Sequence, residues 1–385
     1  MSSSFQVGPN SLSLLQNGTD FFPALCADIE AAQHSVHLET YIFAADETGR
    51  MISQALQHAA QRQVAVRLMI DGFGSSSLPE SWVEEMRRAG VEVLWFRRER
   101  GFFRMRRYRW RRMHRKLAVI DSEVAFVGGI NIVNDVPDGE VFDAPRLDYA
   151  VRMQGPLVHE VQEAMRHLWS SVRWASMRKR IGRLRVHLRR RKPDGSRQLA
   201  ALLLRDNVRH RHEIEAAYLR AINHARYEIV LAHAYFLPGR RVRRALKRAA
   251  KRGVRVVLLL QGMVEYRFQY YATQYLYGQM LAEGVEIHEY SGNFMHAKAC
   301  VVDGEWATLG SSNLDPLSLW MAREANLAVR DTAFAGHLRD TVMHAVQHHA
   351  DKVLSPPKHP LTVFLSRLSY GGIRLLVGLL VRQRH

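Results

Sequence analysis

Cysteine is scarce in this sequence, and Cys26 and Cys300 are the only two among its 385 residues. Two cysteines provide no disulfide framework, so we expect a reducing compartment. Cys300 stands in an apolar run, where we expect a small core residue. The N-terminus lacks both the basic region and the apolar region of a signal peptide, and we expect none to be present.

Long hydrophobic runs are missing as well. No uninterrupted run reaches the roughly 20 apolar residues that a membrane-spanning helix needs, so we expect no segment to span a membrane. Acidic residues are outnumbered, with 37 Asp and Glu against 55 Lys and Arg and a formal net charge of +18. A field of this sign favours polyanions, either nucleic acid or an anionic lipid surface, and charge alone does not choose between them.

The sequence contains an internal duplication, which determines the expected architecture. Four blocks recur in the same order: 54–72 with 244–262, 89–96 with 283–290, 113–121 with 295–303, and 126–131 with 308–313. They alternate amphipathic helices with short apolar strands. This alternation predicts an α/β fold: two homologous α-β-α sandwich halves with mixed sheets, related by a pseudo-twofold axis and sharing one active site.

The same pattern divides the chain into four parts. We expect an N-terminal domain at 1–177, a basic linker at 178–198, a C-terminal domain at 199–352 and an amphipathic membrane-association segment at 353–385. The linker is assigned from its many arginines, its few apolar residues and the Pro-Asp-Gly-Ser sequence that it reaches.

Each half carries one His-x-Lys-x4-Asp motif. On a strand, residues two apart project from the same face, so the His and Lys of each motif should point together toward substrate. The Asp has the opposite parity, and we expect it to anchor the strand end. An Asn on each returning strand could donate hydrogen bonds into the same space. These residues are His114, Lys116, Asp121 and Asn131 in the first half, and His296, Lys298, Asp303 and Asn313 in the second.

Two imidazoles, two ammonium groups and two amides suit a phosphodiester, provided that the halves face each other. The ammonium groups would neutralise the non-bridging oxygens. One imidazole can attack phosphorus, while the other protonates the leaving alkoxide and later deprotonates the incoming hydroxyl. A single His-x-Lys pair would indicate an ordinary surface strand end, but two copies in matched contexts favour catalysis. Because the companion residues are lysines, a zinc site is implausible, and we expect neither metal nor cofactor.

Each histidine needs a partner that fixes its tautomer. Asp148 and Glu324 occupy matching places at the start of the apolar run that follows each Asn. We assign Asp148 to orient His114 and Glu324 to orient His296, so that each carboxylate serves the histidine of its own half.

The doubled motif resembles the phospholipase D superfamily, and the resemblance extends from about Leu14 to His349. Within that superfamily the sequence is most similar to bacterial cardiolipin synthases of the B type. The stretches 38–43 and 234–238 resemble strands of those enzymes, with Glu39 at a place that is usually acidic there.

The resemblance implies a metal-independent reaction in which His114 is the nucleophile and His296 the acid and base, although the near-symmetry allows the reverse. The second half departs from the first in having Ser311 and Ser312 where two glycines are expected, and Glu324 in place of Asp. Both differences are compatible with the same roles.

Three further segments bear on partners. Residues 97–112 interleave arginines with aromatics just before the first motif, which favours substrate capture or membrane docking over stacking on single-stranded nucleic acid or a solvated loop. The aromatic cluster at 265–278 should be mainly core, with an acyl-chain channel as the alternative. Apolar residues broken by arginines at 361–385 favour a helix in the membrane plane over one packed on the protein's own core.

The leading functional hypothesis is phosphatidyl transfer from phosphatidylglycerol to a hydroxyl of a second phospholipid, which releases glycerol and forms cardiolipin. Phosphatidylethanolamine and free glycerol are alternative substrates, and the expected partner is an anionic membrane surface on the cytoplasmic face of the bacterial inner membrane. A phospholipase D or a metal-independent nuclease of the same superfamily is the main alternative. Nucleic acid is the less favoured substrate because of the apolar C-terminal segment. Two complete motifs argue against a non-catalytic polyanion-binding module.

Overall fold

The computed structural model describes residues 3–98, 111–136, 139–177, 199–206, 210–315 and 322–382. The expected basic linker at 178–198 lies outside the described residues. Residues 99–110 of the basic aromatic segment and residues 383–385 of the C-terminal segment also lie outside them.

The first half alternates strands and helices as the sequence predicts. Its strands are β1 (Ser4–Val7), β2 (Asn10–Gln16), β3 (Ser35–Thr40), β4 (Ala65–Asp71), β5 (Glu92–Phe96), β6 (Arg112–Met113), β7 (Lys116–Ile120), β8 (Val124–Gly128) and β9 (Tyr149–Gln154). Its helices are α1 (Asn17–Ala31), α2 (Glu47–Gln61), α3 (Glu80–Arg88) and α4 (Leu157–Met177).

The second half repeats this alternation. Its strands are β10 (Ala200–Arg205), β11 (Glu228–His233), β12 (Arg255–Gln261), β13 (Glu286–Tyr290), β14 (Lys298–Val302), β15 (Trp306–Gly310), β16 (Ala322–Arg330) and β17 (Ala350–Lys352). Its helices are α5 (Glu213–His224), α6 (Arg240–Lys251), α7 (Arg267–Leu281), α8 (Thr332–His348) and α9 (Pro360–Arg382).

The two sheets have corresponding strand orders. The first sheet has the order β1-β2-β9-β8-β7-β3-β4-β5 and the second β10-β16-β15-β14-β11-β12-β13-β17. In each sheet three strands run parallel, and the motif strand, β7 or β14, pairs antiparallel with the first of them. The predicted α/β fold of two homologous halves with mixed sheets is therefore confirmed.

The halves share one hydrophobic core. Side chains of both motif strands contribute to it, for example Val119 of β7 and Val301 of β14, and α4 and α8 pack into it through Val161 and Leu338. Helices α1 to α3 cover the other face of the first sheet, and α5 to α7 cover that of the second. Each fully buried apolar side chain contributes about 1.5–3 kcal/mol. The shared core therefore fixes the position of one motif strand relative to the other.

Over residues 360–375, whose side chains the structure describes, the C-terminal helix α9 packs on α7 through one face. Ile373 is buried beside Leu276, and the rings of Tyr370 and Tyr275 stack with centroids 4.3 Å apart. The opposite face leaves four apolar side chains exposed: Leu361, Phe364, Leu368 and Leu375. One face thus packs on the protein while the other offers apolar surface. Among the described residues, no helix is long and apolar enough to cross a membrane.

The burial of Cys300 and of the aromatic cluster at 265–278 tests two further expectations from the sequence. Cys300 is buried in β14, as predicted for a small core residue. In the aromatic cluster, Tyr277 belongs to the core of the second half, whereas Tyr266 and Phe268 are exposed. The cluster is therefore core in one part and surface in the other.

Candidate active site

The two motif histidines lie at the seam between the halves. His114 precedes β7 and His296 precedes β14, and their ring centroids are 6.3 Å apart. The N–H of His114 donates to the carbonyl of Arg323 at 2.9 Å, and the N–H of His296 donates to the carbonyl of Leu147 at 2.8 Å. Each histidine is thus held by backbone of the opposite half, and the halves build one site.

Each of the carboxylates Asp148 and Glu324 contacts the motif histidine of the opposite half. Nδ1 of His114 lies 3.0 Å from Oε2 of Glu324, and Nδ1 of His296 lies 2.7 Å from Oδ2 of Asp148. The expectation that each carboxylate serves the histidine of its own half is wrong. The physical reason is backbone pairing: β6 pairs in parallel with β16, and residues 147 and 295 form a matching parallel bridge. Each pairing places a carboxylate beside the motif of the other half.

Burial favours the neutral form of both imidazoles. It lowers the pKa of His114 against the opposing effect of Glu324, and together with the charge of Lys298 it lowers the pKa of His296 well below its ordinary value. A hydrogen bond from Nδ1 to a carboxylate keeps the ring proton on Nδ1 and leaves the lone pair on Nε2. Nε2 is therefore the atom available as nucleophile or general base.

The two orienting carboxylates titrate differently. Burial raises the pKa of Asp148 to about 7. Burial acts in the same direction on Glu324, but His114 and the hydroxyl of Ser311 hold the pKa of this carboxyl below its ordinary value. Oγ of Ser311 donates to Oε2 of Glu324 at 2.5 Å. Consequently the pair of His296 and Asp148 keeps an additional proton near neutral pH more readily than the pair of His114 and Glu324.

Lys116 and Lys298 bring two ammonium groups into the buried site. Nζ of Lys116 donates to the carbonyl of His114 at 2.9 Å, and Nζ of Lys298 donates to that of His296. Burial lowers the pKa of Lys116 to about 7, with a further contribution from the charge of Lys298, and lowers the pKa of Lys298 to about 8. A bound anion would relieve this repulsion. In the part of the chain that the structure describes, no group of His, Cys, Asp or Glu residues is arranged to hold a metal ion.

Asp121 and Asp303 follow the far ends of β7 and β14. Three consecutive backbone N–H groups donate to each carboxylate at 2.7–2.9 Å: those of Gln33, His34 and Ser35 to Asp121, and those of Arg226, Tyr227 and Glu228 to Asp303. Each carboxylate thus ties the end of a motif strand to the start of its neighbour, β3 or β11. Their placement matches the opposite parity that the motif spacing predicts.

Asn131 and Asn313 are buried just after the returning strands β8 and β15. Oδ1 of Asn131 accepts the N–H of Ile42 at 3.2 Å. This contact orients the amide and leaves its nitrogen as the donor. Donation to substrate by the two asparagines stays a prediction.

Sequence reasoning missed a tyrosine on each side of the site. The ring centroid of Tyr41 is 4.7 Å from that of His114 and 5.2 Å from Nζ of Lys116. In the second half, Tyr235 stands one residue beyond the position that matches Tyr41, and it donates its O–H to Glu265 at 2.5 Å. A signal was available, because a tyrosine follows within two residues of the end of β3 and of β11.

Two polar residues that position the histidines were missed as well. Oδ2 of Asp71 accepts the N–H of Met113 at 2.7 Å, and Oε1 of Gln261 accepts the N–H of Met295 at 2.7 Å. These residues end β4 and β12, and each fixes the backbone directly before a motif histidine. Their signal was a polar residue at the end of an apolar strand in both copies of the repeat.

Two related α/β halves that each contribute a His-x-Lys motif to a common site define a phospholipase D-like protein. The family described as cardiolipin synthase, PLD-like domain, matches residues 25–169 and 218–345. Cardiolipin synthase B of Escherichia coli is 36% identical over 95% of this chain and 88% of that protein. The major cardiolipin synthase of Bacillus subtilis is 30% identical over 86% of this chain and 68% of that protein.

Among solved structures, the phosphatidylserine synthase of Haemophilus influenzae has the same fold, with a TM-score of 0.68 over 99% of this chain and 96% of that chain at 13% identity. The chain belongs to the phospholipase D-like family of cardiolipin synthases. The predicted family and the predicted enzyme class, a transferase, are thereby confirmed.

Proposed function

We propose that this enzyme moves a phosphatidyl group from phosphatidylglycerol to a hydroxyl of a second phospholipid, which releases glycerol and forms cardiolipin. The observation that carries the proposal is a pair of imidazoles with ring centroids 6.3 Å apart, next to two buried lysines. A phosphorus atom held between the rings would be within reach of both. The cardiolipin synthases that this chain resembles supply the choice of lipid.

In the first step, Nε2 of His114 attacks the phosphorus of phosphatidylglycerol. The P–N bond forms, the P–O bond to glycerol breaks, and a proton from His296 passes to the departing oxygen. The carboxylates favour these roles. Asp148, with its pKa raised to about 7, helps the His296 pair to keep a proton, whereas the lowered pKa of Glu324 leaves an ionised carboxylate beside a neutral His114.

In the second step, the hydroxyl of the acceptor lipid takes the place of glycerol. Its proton passes to His296, its oxygen bonds to phosphorus, and the P–N bond to His114 breaks. Lys116 and Lys298 neutralise the non-bridging oxygens in both transition states. Loss of one preorganised donor of this kind costs on the order of 10²–10³ in rate.

The exposed face of α9 is the surface that would hold the enzyme on the cytoplasmic face of the inner membrane. Its apolar side chains are spaced three, four and seven residues apart, so they form one stripe along the helix. They are 58–67% exposed: Leu361, Phe364, Leu368 and Leu375. Arg367 and Arg374 lie on the same helix, where they can reach lipid phosphates. An apolar stripe accompanied by arginines binds in the plane of an anionic bilayer.

Phosphatidylglycerol vesicles and purified protein test the chemistry. Wild type should form cardiolipin and glycerol in equal amounts, and a denaturing quench at alkaline pH should reveal a phosphatidyl adduct by intact mass. His114→Ala should lose both products and the adduct, whereas the control His58→Ala, on the outer helix α2, should keep them. Full activity in His114→Ala would contradict the nucleophile. Phosphatidic acid without cardiolipin would show hydrolysis instead of transfer.

Vesicle binding tests the membrane surface separately. Phe364→Asp with Leu368→Asp should weaken sedimentation with anionic vesicles by about tenfold or more, because each buried apolar side chain contributes about 1.5–3 kcal/mol. Leu354→Asp is the matched control, since Leu354 is 84% exposed but lies outside α9. Turnover of a short-chain soluble substrate should persist in both variants. Equal binding by wild type and the α9 variant would exclude this surface.

A further inference from the structure

An arginine lies on each side of the reaction centre, two residues before a catalytic or orienting residue. Arg112 precedes His114, and Arg146 precedes Asp148; we call this position one step outward from the reaction centre. On the side of His114, the parallel pairing of β6 with β16 sets Arg112 opposite Ala322. On the side of His296, the N–H of Leu147 donates to the carbonyl of Phe294 at 3.1 Å, so Arg146 and Phe294 take the matching places. Arg112 belongs to the segment that carries His114, whereas Arg146 belongs to the segment that carries Asp148.

Arg146 directs its charge toward the reaction centre. It precedes Asp148 by two residues in extended backbone, and the alternation of side chains puts both on one face. In agreement with this placement, its charge contributes to the lowered pKa values of His296 and Lys298. Nε of Arg146 is buried and has no hydrogen-bond partner among the residues that the structure describes.

The carboxylates near Arg146 already accept other hydrogen bonds. Asp135 accepts the N–H of Gly18 at 2.8 Å, Glu265 accepts the O–H of Tyr235 at 2.5 Å, and Asp148 lies 2.7 Å from Nδ1 of His296. These contacts leave Arg146 as a cation beside, and not within, the group of residues assigned to the chemistry. Its planar guanidinium is suited to bind two oxygens of an additional anionic group, such as a phosphate, through parallel hydrogen bonds.

The distance of Arg146 from the reaction centre along the strand is similar to the distance between the two phosphates of cardiolipin. Two residues along a strand span roughly 6–7 Å, and the two phosphates of cardiolipin are separated by a single glycerol bridge. One phosphate would occupy the reaction centre between the imidazoles. The other would then lie one step outward, at the level of the arginines.

In-line displacement decides which arginine faces the acceptor. The incoming oxygen must approach phosphorus opposite to the P–N bond of His114, which is the side of His296 and Arg146. We propose that Arg146 binds the phosphate of the acceptor phospholipid and so selects a lipid acceptor over water or a neutral alcohol; this rests on the proposed function. Arg146 takes part in no bond change. The acceptor proton still passes to His296 as the new P–O bond forms and the P–N bond breaks.

Competition between two acceptors tests this assignment in the full-length enzyme. Phosphatidylglycerol vesicles are supplied with ethanol, a neutral primary alcohol, and cardiolipin and phosphatidylethanol are measured in the same reaction. In Arg146→Gln, cardiolipin formation should fall by about tenfold or more, the factor expected for a lost hydrogen bond to a charged group. The ratio of cardiolipin to phosphatidylethanol should fall by the same factor, and continued formation of phosphatidylethanol shows that the variant is folded. Arg146→Lys should recover part of the cardiolipin.

Arg112→Gln is the matched control on the donor side. It should alter both products by the same factor and leave their ratio unchanged. An Arg146→Gln enzyme with an unchanged product ratio would overturn the proposal, as would a selective loss of cardiolipin in Arg112→Gln alone. Wild type that forms phosphatidylethanol but no cardiolipin would instead contradict the proposed function, and the choice of acceptor with it.

Discussion

The two halves of the chain present the same reactive groups but support them differently. In the first half, Nη2 of Arg115 lies 2.6 Å from Oε2 of Glu39, and both side chains are buried. The matching positions of the second half hold Ala297 and Ala232. The residues that face substrate have therefore stayed alike, while those behind them have diverged. The supporting layer needs only to be packed and to have its polar groups satisfied.

The orienting carboxylates show a second difference between the halves. Gly129 accompanies Asp148, whereas Ser311 accompanies the longer Glu324. A Cβ atom on Gly129 would lie 2.2 Å from Oδ1 of Asp148. The shorter carboxylate thus requires glycine, and the longer one leaves room for a serine that hydrogen-bonds to it. These are two solutions to the same geometric problem.

The largest expected effect comes from breaking the crossed carboxylates. Asp148→Asn and Glu324→Gln remove the acceptor that keeps each ring proton on Nδ1, and loss of the correct tautomer costs on the order of 10⁴ in rate. Steady-state cardiolipin synthesis measures the loss. Nitrogen-15 NMR then identifies the partner, because Asp148→Asn should shift the Nδ1 signal of His296 and spare that of His114. A shift at His114 alone would contradict the crossed pairing.

Next in size is the ion pair behind the first motif. Arg115→Ala leaves Glu39 buried without its cation, which should lower the free energy of unfolding by about 3–5 kcal/mol. Urea denaturation followed by circular dichroism measures the change. Glu39→Ala combined with Arg115→Ala copies the second half and should recover part of the stability, because no buried charge is left unpaired. A double variant weaker than the single one would show that the two supporting layers are not interchangeable.

A smaller effect is expected where the glycine and the serine are exchanged. Gly129→Ser should cost about 1–3 kcal/mol of stability because the new side chain overlaps Asp148. Ser311→Gly, the reverse change, should cost only about 0.5–1.5 kcal/mol for one hydrogen bond. Thermal denaturation of the two variants gives the comparison. Equal losses would mean that the two carboxylates have equal room.

The smallest effect concerns pH. The first step needs a proton on the His296 pair, and Asp148 has its pKa raised to about 7. The rate of adduct formation should therefore be highest below pH 7 and should fall as pH rises through about 7. Lys116, with its pKa lowered to about 7, loses its charge in the same range and strengthens the fall. Rapid-quench kinetics from pH 5 to 9 measure the rate of adduct formation. Asp148→Asn should make the fall with pH shallower. A rate that rises with pH would assign His296 as a base in this step.

Much of the fold and part of the site could be predicted from the residues alone. Repetition of four blocks predicts two α/β halves because each block is a local pattern of helix and strand. The spacing within each motif predicts that His114 and Lys116 share a face and that Asp121 anchors a strand end, since alternation along a strand is a local property. The residues Asp71 and Gln261 were also visible in the repeat, but nothing local indicates that they bind the backbone before a histidine.

Sequence by itself determined which chemical groups this protein has and how each is directed along its own strand. Only the tertiary structure decided that Glu324 meets His114 and Asp148 meets His296, that Arg146 stands one step outward from the second pair, and which face of α9 packs on α7. The reason is physical. Side-chain parity is set within a few residues, whereas the identity of the neighbouring strand depends on how the shared core brings distant parts of the chain together.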